Sequence, residues 1–189
     1  MTKKNVLQFI AALLCCLLIG CGAALTLHMY DTYFDMPKPL SSGQTIDFSA
    51  YGFTLTVPDT YALNDYTTNN FAEGGDALFA GCAYGGGQEL YIYCYANPQQ
   101  DDISAYSEQE LVTHYTAAGG QEVRTRTLGS RRFICYRAEV YAENGFETWD
   151  TYETWNQNTH IVFETRMNPW DVLPMLQTIT FTPMTNSAG

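Results

Sequence analysis

The sequence predicts an α+β domain, a twisted and mainly antiparallel sheet with two main helices packed on it. Three observations lead there. Runs of alternating apolar and polar residues recur from Gly52 to Met167. Short turns rich in glycine join several of them, and short turns make neighbouring strands antiparallel. Two helical segments, one mid-chain and one near the end, carry their own start signals.

Gly52 to Val57 alternates and stops at Pro58-Asp59, a strand with a turn signal. Ala77 to Ala83 and Glu89 to Ala96 flank Gly85-Gly86-Gly87, which predicts a hairpin. In its second strand Leu90, Ile92 and Cys94 share one face and Tyr91, Tyr93 and Tyr95 the other. Ser107 with Glu110 forms a capping box, and Tyr106 with Leu111 a hydrophobic staple. Leu111, Val112, Tyr115 and Ala118 then make the core face of a helix that Gly119-Gly120 ends.

Glu122 to Leu128 alternates, and Gly129-Ser130 turns the chain into Arg131 to Glu143. Asn144-Gly145 is the preferred pair for a type I′ hairpin. Pairing about it sets Val140 opposite Trp149, Ala138 opposite Thr151 and Ile134 opposite Trp155. The other face then sets Glu139 against Asp150, with Arg137 as the neighbour that relieves them. His160 to Met167 is a further strand. The last helix is expected to take Asp171 as its cap, which leaves Pro174 in the first turn, and to bury Leu173, Leu176 and Ile179. The tyrosine face of strand 89–96 also needs cover, so helices are expected on both sides of the sheet.

The amino terminus speaks to location. Lys3 and Lys4 precede an uncharged stretch from Val6 to Leu27, the pattern of a secretory signal. Its end, Leu18-Ile19-Gly20-Cys21, resembles the lipobox of bacterial lipoproteins. That resemblance implies cleavage before Cys21 and lipidation of its thiol, with Cys15 and Cys16 discarded. The alternative is an uncleaved anchor: 22 residues from Val6 to Leu27 make a helix of about 33 Å, long enough for a hydrocarbon core of about 30 Å. Either way the remainder is expected outside the cytoplasm, with the membrane as a partner through the lipid or the helix. The expected organisation is residues 1–21 as signal or anchor, 22–44 as spacer, 45–184 as one globular domain and 185–189 as a tail.

Composition excludes some functions. The chain has 189 residues, 9 Lys+Arg against 20 Asp+Glu, and a formal charge of −11. Hydrophobic residues at 46% and aromatic at 14% exclude wholesale disorder. The acidity argues against nucleic acid as a partner, because a phosphate backbone needs clustered Lys and Arg. Cleavage before Cys21 would remove two lysines and no acids, so an anionic bilayer would repel the mature chain and its anchor must supply the tether.

The opening "GFTLTVPDTY", the mid-chain helix, the strand meander and the closing "PMLQTITF" resemble the PsbP-like domains over roughly residues 50–182. That superfamily includes the extrinsic photosystem II protein and small bacterial lipoproteins of unassigned role. The resemblance implies a sandwich fold and an accessory or docking role. It supplies no active site to carry over.

Little in the chain announces chemistry. Beyond the leader the cysteines are Cys82, Cys94 and Cys135. In the expected hairpin Cys94 faces about residue 78, four positions from Cys82, which is too far for a disulfide. His28, His114 and His160 lack metal-ligand spacing, so no metal and no cofactor is expected, and His114 is expected to face solvent. GxSxG and phosphate-loop motifs are missing. Glu147, Asp150 and Glu153 read as a solvated face. Arg124, Arg126, Arg131, Arg132 and Arg137 are five of the six arginines. They are candidate contacts for an anionic protein or envelope partner, or else neutralise neighbouring Glu139, Glu143 and Asp150. Tyr91, Tyr93 and Tyr95 are candidate ligand contacts, or else a covered face.

The leading expectation is therefore a non-catalytic docking or accessory lipoprotein. Binding of a small ligand or glycan through aromatic residues such as Trp149 and Trp170 is the alternative, and an envelope hydrolase a third. Docking needs an exposed patch, ligand binding a concave aromatic pocket of about 300 Å³ or more, and hydrolysis converging polar groups.

Overall fold

Period-two alternation decides which side of each strand meets the core. The computed structural model describes residues 40, 42–67, 76–142 and 145–182, with 140–142 described by backbone alone. The leader, Cys21, Glu143 and Asn144 lie outside the described residues. Every described residue belongs to one compact unit, Pro39–Gly189.

Two antiparallel sheets build that unit. The smaller holds β1 (Gln44–Phe48), β2 (Phe53–Val57) and β10 (Thr180–Phe181), in the order β1-β2-β10. The larger holds β3 (Ala62–Asp65), β4 (Ala77–Gly85), β5 (Gln88–Ala96), β6 (Gln121–Leu128), β7 (Arg131–Ala142), β8 (Gly145–Trp155) and β9 (Thr159–Thr165). Its order is β3-β4-β5-β9-β8-β7-β6, so the β6–β9 meander folds back to lay β9 against β5. Helix α1 (Glu108–Ala117) follows β5, and α2 (Pro169–Leu176) follows β9. The class is α+β, with two sheets where the sequence suggested one.

The inner face of the large sheet holds the core. Leu90, Ile92 and Cys94 of β5, Ile161 and Phe163 of β9, and Phe133 of β7 are wholly buried. They pack with Phe53, Leu55 and Val57 of β2 and with Val172, Leu173 and Leu176 of α2. The outer face carries a second cluster, in which Ile103, Leu111 and Ile134 are covered by Tyr106, Tyr115, Val123, Tyr136 and Trp155. Helices thus lie on both faces, as expected.

Helix α1 starts as its sequence dictates, with Ser107 and Glu110 exchanging both capping-box bonds. Leu111 is buried and Tyr115 packs beside it, but Ala118 is exposed, because the helix has ended by then.

Several expectations are corrected. In the β7–β8 hairpin Val140 faces Glu147, Ala138 faces Trp149 and Ile134 faces Glu153, a slip of two residues from the expected register. The hairpin closes between Ala142 and Gly145, so Gly145 belongs to the strand. A two-residue slip keeps every side chain on its face. It also sets Asp150 opposite Arg137 rather than Glu139, and Arg137 Nε meets Asp150 Oδ1 at 3.0 Å. Opposite charges replace like charges, which favours the observed register.

Helix α2 is capped by Asn168, whose side chain accepts from the Trp170 N–H at 3.0 Å. Pro169 occupies the first helical position, where its fixed φ suits the helix. Pro174 therefore lies inside the helix and deletes one backbone bond. The short helix bears this because Val172 through Leu176 are all buried. Asp171, the expected cap, instead accepts from Gln88 Nε2 at 2.9 Å.

In the β4–β5 hairpin Gly86 and Gly87 take φ of +59° and +77°, as a two-residue turn of this type requires. A bulge between Ala77 and Phe79 brings Phe79, not residue 78, opposite Cys94. Cys82 pairs with Tyr91. Cys82 and Cys94 thus point to opposite faces, and with Cys135 they are buried free thiols.

Candidate ligand-binding cleft

A cavity of about 560 Å³ opens on the outer face. One wall is α1, through Leu111, His114 and Tyr115; the other is the segment after β5, through Asp101 and Tyr106; Trp155 and His160 form the floor. Its volume exceeds the ~300 Å³ of a small-molecule site, and its lining includes the rings of Tyr106, Tyr115, Trp155 and His160.

The wall after β5 is braced from several sides. Asn97 Nδ2 donates to the carbonyls of Asp101 at 2.8 Å and Asn156 at 2.7 Å. Asp102 caps a short 3₁₀ turn, Ile103–Ala105, accepting from the Ser104 N–H at 2.9 Å. Arg131 holds Asp102 at 2.7 Å, and Arg132 donates to the Tyr106 carbonyl at 2.6 Å. Burial alone would raise the Asp102 carboxyl, but the Ser104 donors and Arg131 outweigh it and hold it low.

Glu153 lies beneath the floor. It is 6% exposed, near the carboxyl end of β8 where residues 151–154 are all buried. Its carboxylate accepts from Tyr115 Oη at 2.7 Å, shares a 2.7 Å contact with His160 Nε2, and accepts from Tyr136 Oη. Burial would raise this carboxyl, but the bond and charge of His160, then the two tyrosines, hold it below the ordinary value. Burial and the carboxylate drive Tyr115 and Tyr136 far up, so both hydroxyls remain donors. Tyr115 and His160 line the cavity, so their orientation there is set by a buried charge.

The solvated face expected of Glu147, Asp150 and Glu153 is corrected at Glu153, because α1 covers that part of the sheet. No local signal set it apart: in β8 Glu153 shares its face with Glu147, Trp149, Thr151 and Trp155, and its partners come from other elements.

The arginines do not form one cluster. Arg131 and Arg132 brace the cleft wall, and Arg131 also lies over the Phe181 ring at 4.2 Å. Arg137 bridges Asp150 and Glu122, the latter at 2.8 Å. Arg124 and Arg126 lie on β6, an outermost strand among the described residues, facing Cys135 and Phe133 respectively.

Tyr91, Tyr93 and Tyr95 are half-buried, and among the described residues no helix covers them, because α1 packs over β6 and β7. Their cover is lateral: Tyr91 meets Trp149 at 5.4 Å and Tyr93 stacks on Tyr95 at 6.5 Å. None of the three lines the cavity, although Tyr95 approaches His160 at 6.2 Å. His114 is exposed and belongs to the cavity rim.

Burial pushes Cys82 up to about 11 and Cys94 and Cys135 up to about 12, the opposite of an activated thiol. Among the described residues no group of three or more His, Cys, Asp or Glu is placed to hold a metal. Among them too, no helix is long and apolar enough to cross a membrane.

No family model matches the chain, and no curated protein does. A crystal structure from Bacteroides thetaiotaomicron VPI-5482 superposes with a TM-score of 0.49 at 11% identity, over 75% of this chain and 49% of that one. This chain thus spans about half the length of that protein. The solution structure of cyanobacterial PsbP (CyanoP) from Synechocystis sp. PCC 6803 superposes with a TM-score of 0.47 at 12% identity, over 75% of this chain and 94% of that one. The second is a protein of the kind the sequence resemblance named. No residue, activity or partner is carried over from either.

Proposed function

We propose that this protein is a membrane-tethered, extracytoplasmic binding module whose cleft between α1 and the outer sheet face takes a small organic ligand. The observation that carries the reading is the cavity of about 560 Å³ walled by Tyr106, Tyr115, Trp155 and His160. The lipobox-like Leu18-Ile19-Gly20-Cys21 supports the tether. Small-molecule extract of the producing cell's envelope, titrated onto the full chain in micelles, should shift the Trp155 indole signal saturably in NMR spectra. Shifts confined to Trp149 and Trp170 would overturn the reading. The mature protein should begin at a lipidated Cys21, and an intact Met1 in its mass spectrum would refute cleavage.

A second reading, docking to a protein or envelope partner, rests on β6, an outermost strand with Arg124 exposed. Crosslinking from Arg124 in intact cells, with one protein captured repeatedly, is its expected result.

A further inference from the structure

The chemistry of the lining narrows the ligand class, resting on the cleft reading above. Several of its hydrogen-bond donors are already committed within the protein; the Gln99 amide and the Trp155 indole N–H also line it and are not among them. The Asn97 amide holds two backbone carbonyls, Tyr106 Oη donates to Asp101, Tyr115 Oη donates to Glu153, and His160 Nε2 meets Glu153. Acceptors remain. Asp101 and Glu110 line the cavity as carboxylates with oxygens to spare, since each can accept several bonds.

Charge points the same way. Among the described residues that line the cavity there is no lysine or arginine. Arg131 lies behind the wall and is neutralised by Asp102. Arg132, opposing the charge of the site, is bound to the Tyr106 carbonyl. Of the lining residues Asp101 and Glu110 are acidic, while His114, His160, Tyr106 and Tyr115 are the other titratable groups; the buried Glu153 is already paired with His160.

The rings complete the argument. Tyr106 and Trp155 meet at 5.9 Å and 65°, and Trp155 and His160 at 5.5 Å and 73°. Tyr106, Trp155 and His160 all line the cavity, so a compact cation held there meets aromatic surface from more than one ring. A neutral sugar could use the Gln99 and Trp155 donors but brings no charge to the Asp101 and Glu110 carboxylates, whereas an ammonium group donates to them and carries the opposite charge.

We infer that the cleft recognises an organic ammonium group, held by the Asp101 and Glu110 carboxylates against the Tyr106 and Trp155 rings.

The test compares cyclohexylammonium with cyclohexanol, its neutral counterpart of similar shape, on the ¹⁵N-labelled full chain in zwitterionic micelles. Cellobiose serves as the sugar control. The inference expects cyclohexylammonium to shift the Trp155 indole signal saturably and to bind at least tenfold more tightly than cyclohexanol. Asp101→Asn, which keeps an acceptor for Tyr106, should weaken the ammonium several-fold and leave cyclohexanol unchanged. Equal affinity for the alcohol, or saturation by cellobiose alone, overturns the ammonium class while the cleft stands as a ligand site. No Trp155 response to any of the three overturns the ammonium class, and silence towards the envelope extract as well removes the cleft reading itself.

Discussion

Glu153→Gln tests the buried charge beneath the cleft. The substitution keeps the side chain's shape but removes its charge and turns one acceptor oxygen into a donor. Glu153 Oε2 serves Tyr115 and His160, and Oε1 serves Tyr136. If the amide oxygen takes the first position, Tyr136 loses its acceptor; if it takes the second, Tyr115 and His160 lose theirs. A hydrogen bond to a charged group contributes about 1.5–3 kcal/mol and a neutral one about 0.5–1.5. Losing the charge on three bonds therefore destabilises by about 3 kcal/mol.

The pH dependence has a definite sign. The Glu153 carboxyl is held low in the folded state, against an unfolded value of about 4.3. Its stabilisation is fully present above that range and is lost as pH falls through the folded value. Urea unfolding of the full chain in micelles, followed by tryptophan fluorescence, should show the whole gap at pH 7 and a narrowing gap below about pH 4. A Glu153→Gln protein within about 0.5 kcal/mol of wild type at pH 7, or a gap that widens in acid, would refute the reasoning.

Other outcomes follow from single contacts. Gly129 has φ +60°, and a Cβ there would lie 2.5 Å from the Gln177 carbonyl oxygen; Gly129→Ala should cost about 1–3 kcal/mol in the same urea assay. Phe133 is wholly buried between the sheets, so Phe133→Ala should cost about 3–5 kcal/mol. Ser107→Ala removes the α1 cap and should cost about 1 kcal/mol, with loss of helical far-UV signal. Cys82, Cys94 and Cys135 should resist iodoacetamide at pH 8 in the folded protein and react in urea, as a peptide mass map would show.

Features written locally were legible in the sequence. The capping box of α1 spans four residues, and the alternation of Leu90, Ile92 and Cys94 needs only its own strand. Pairings between distant segments were not. Glu153 meets groups at positions 115, 136 and 160, and from the sequence it looks like its solvated neighbours Glu147 and Asp150. The β7–β8 register turned on whether Asn144-Gly145 or the Arg137–Asp150 pair governs. The charge pair prevailed, because Gly145 can equally well begin a strand. Pro174 pointed to a late helix start, yet burial of the residues around it outweighs one missing backbone bond. The arginines crowd together in sequence, but they sit at different points of two strands and successive residues such as Arg131 and Arg132 face opposite sides, so they are dispersed. The cleft depends on α1 crossing β6 and β7 while the segment after β5 closes its other side, and no local pattern encodes that.

The most direct test is native mass spectrometry of the full chain released gently from the membranes of the cells that make it. A protein whose cleft is a binding site should carry a small organic adduct in wild type and lose it when Leu111→Trp fills the cavity. Bare protein in both, or the same adduct in both, would contradict the account.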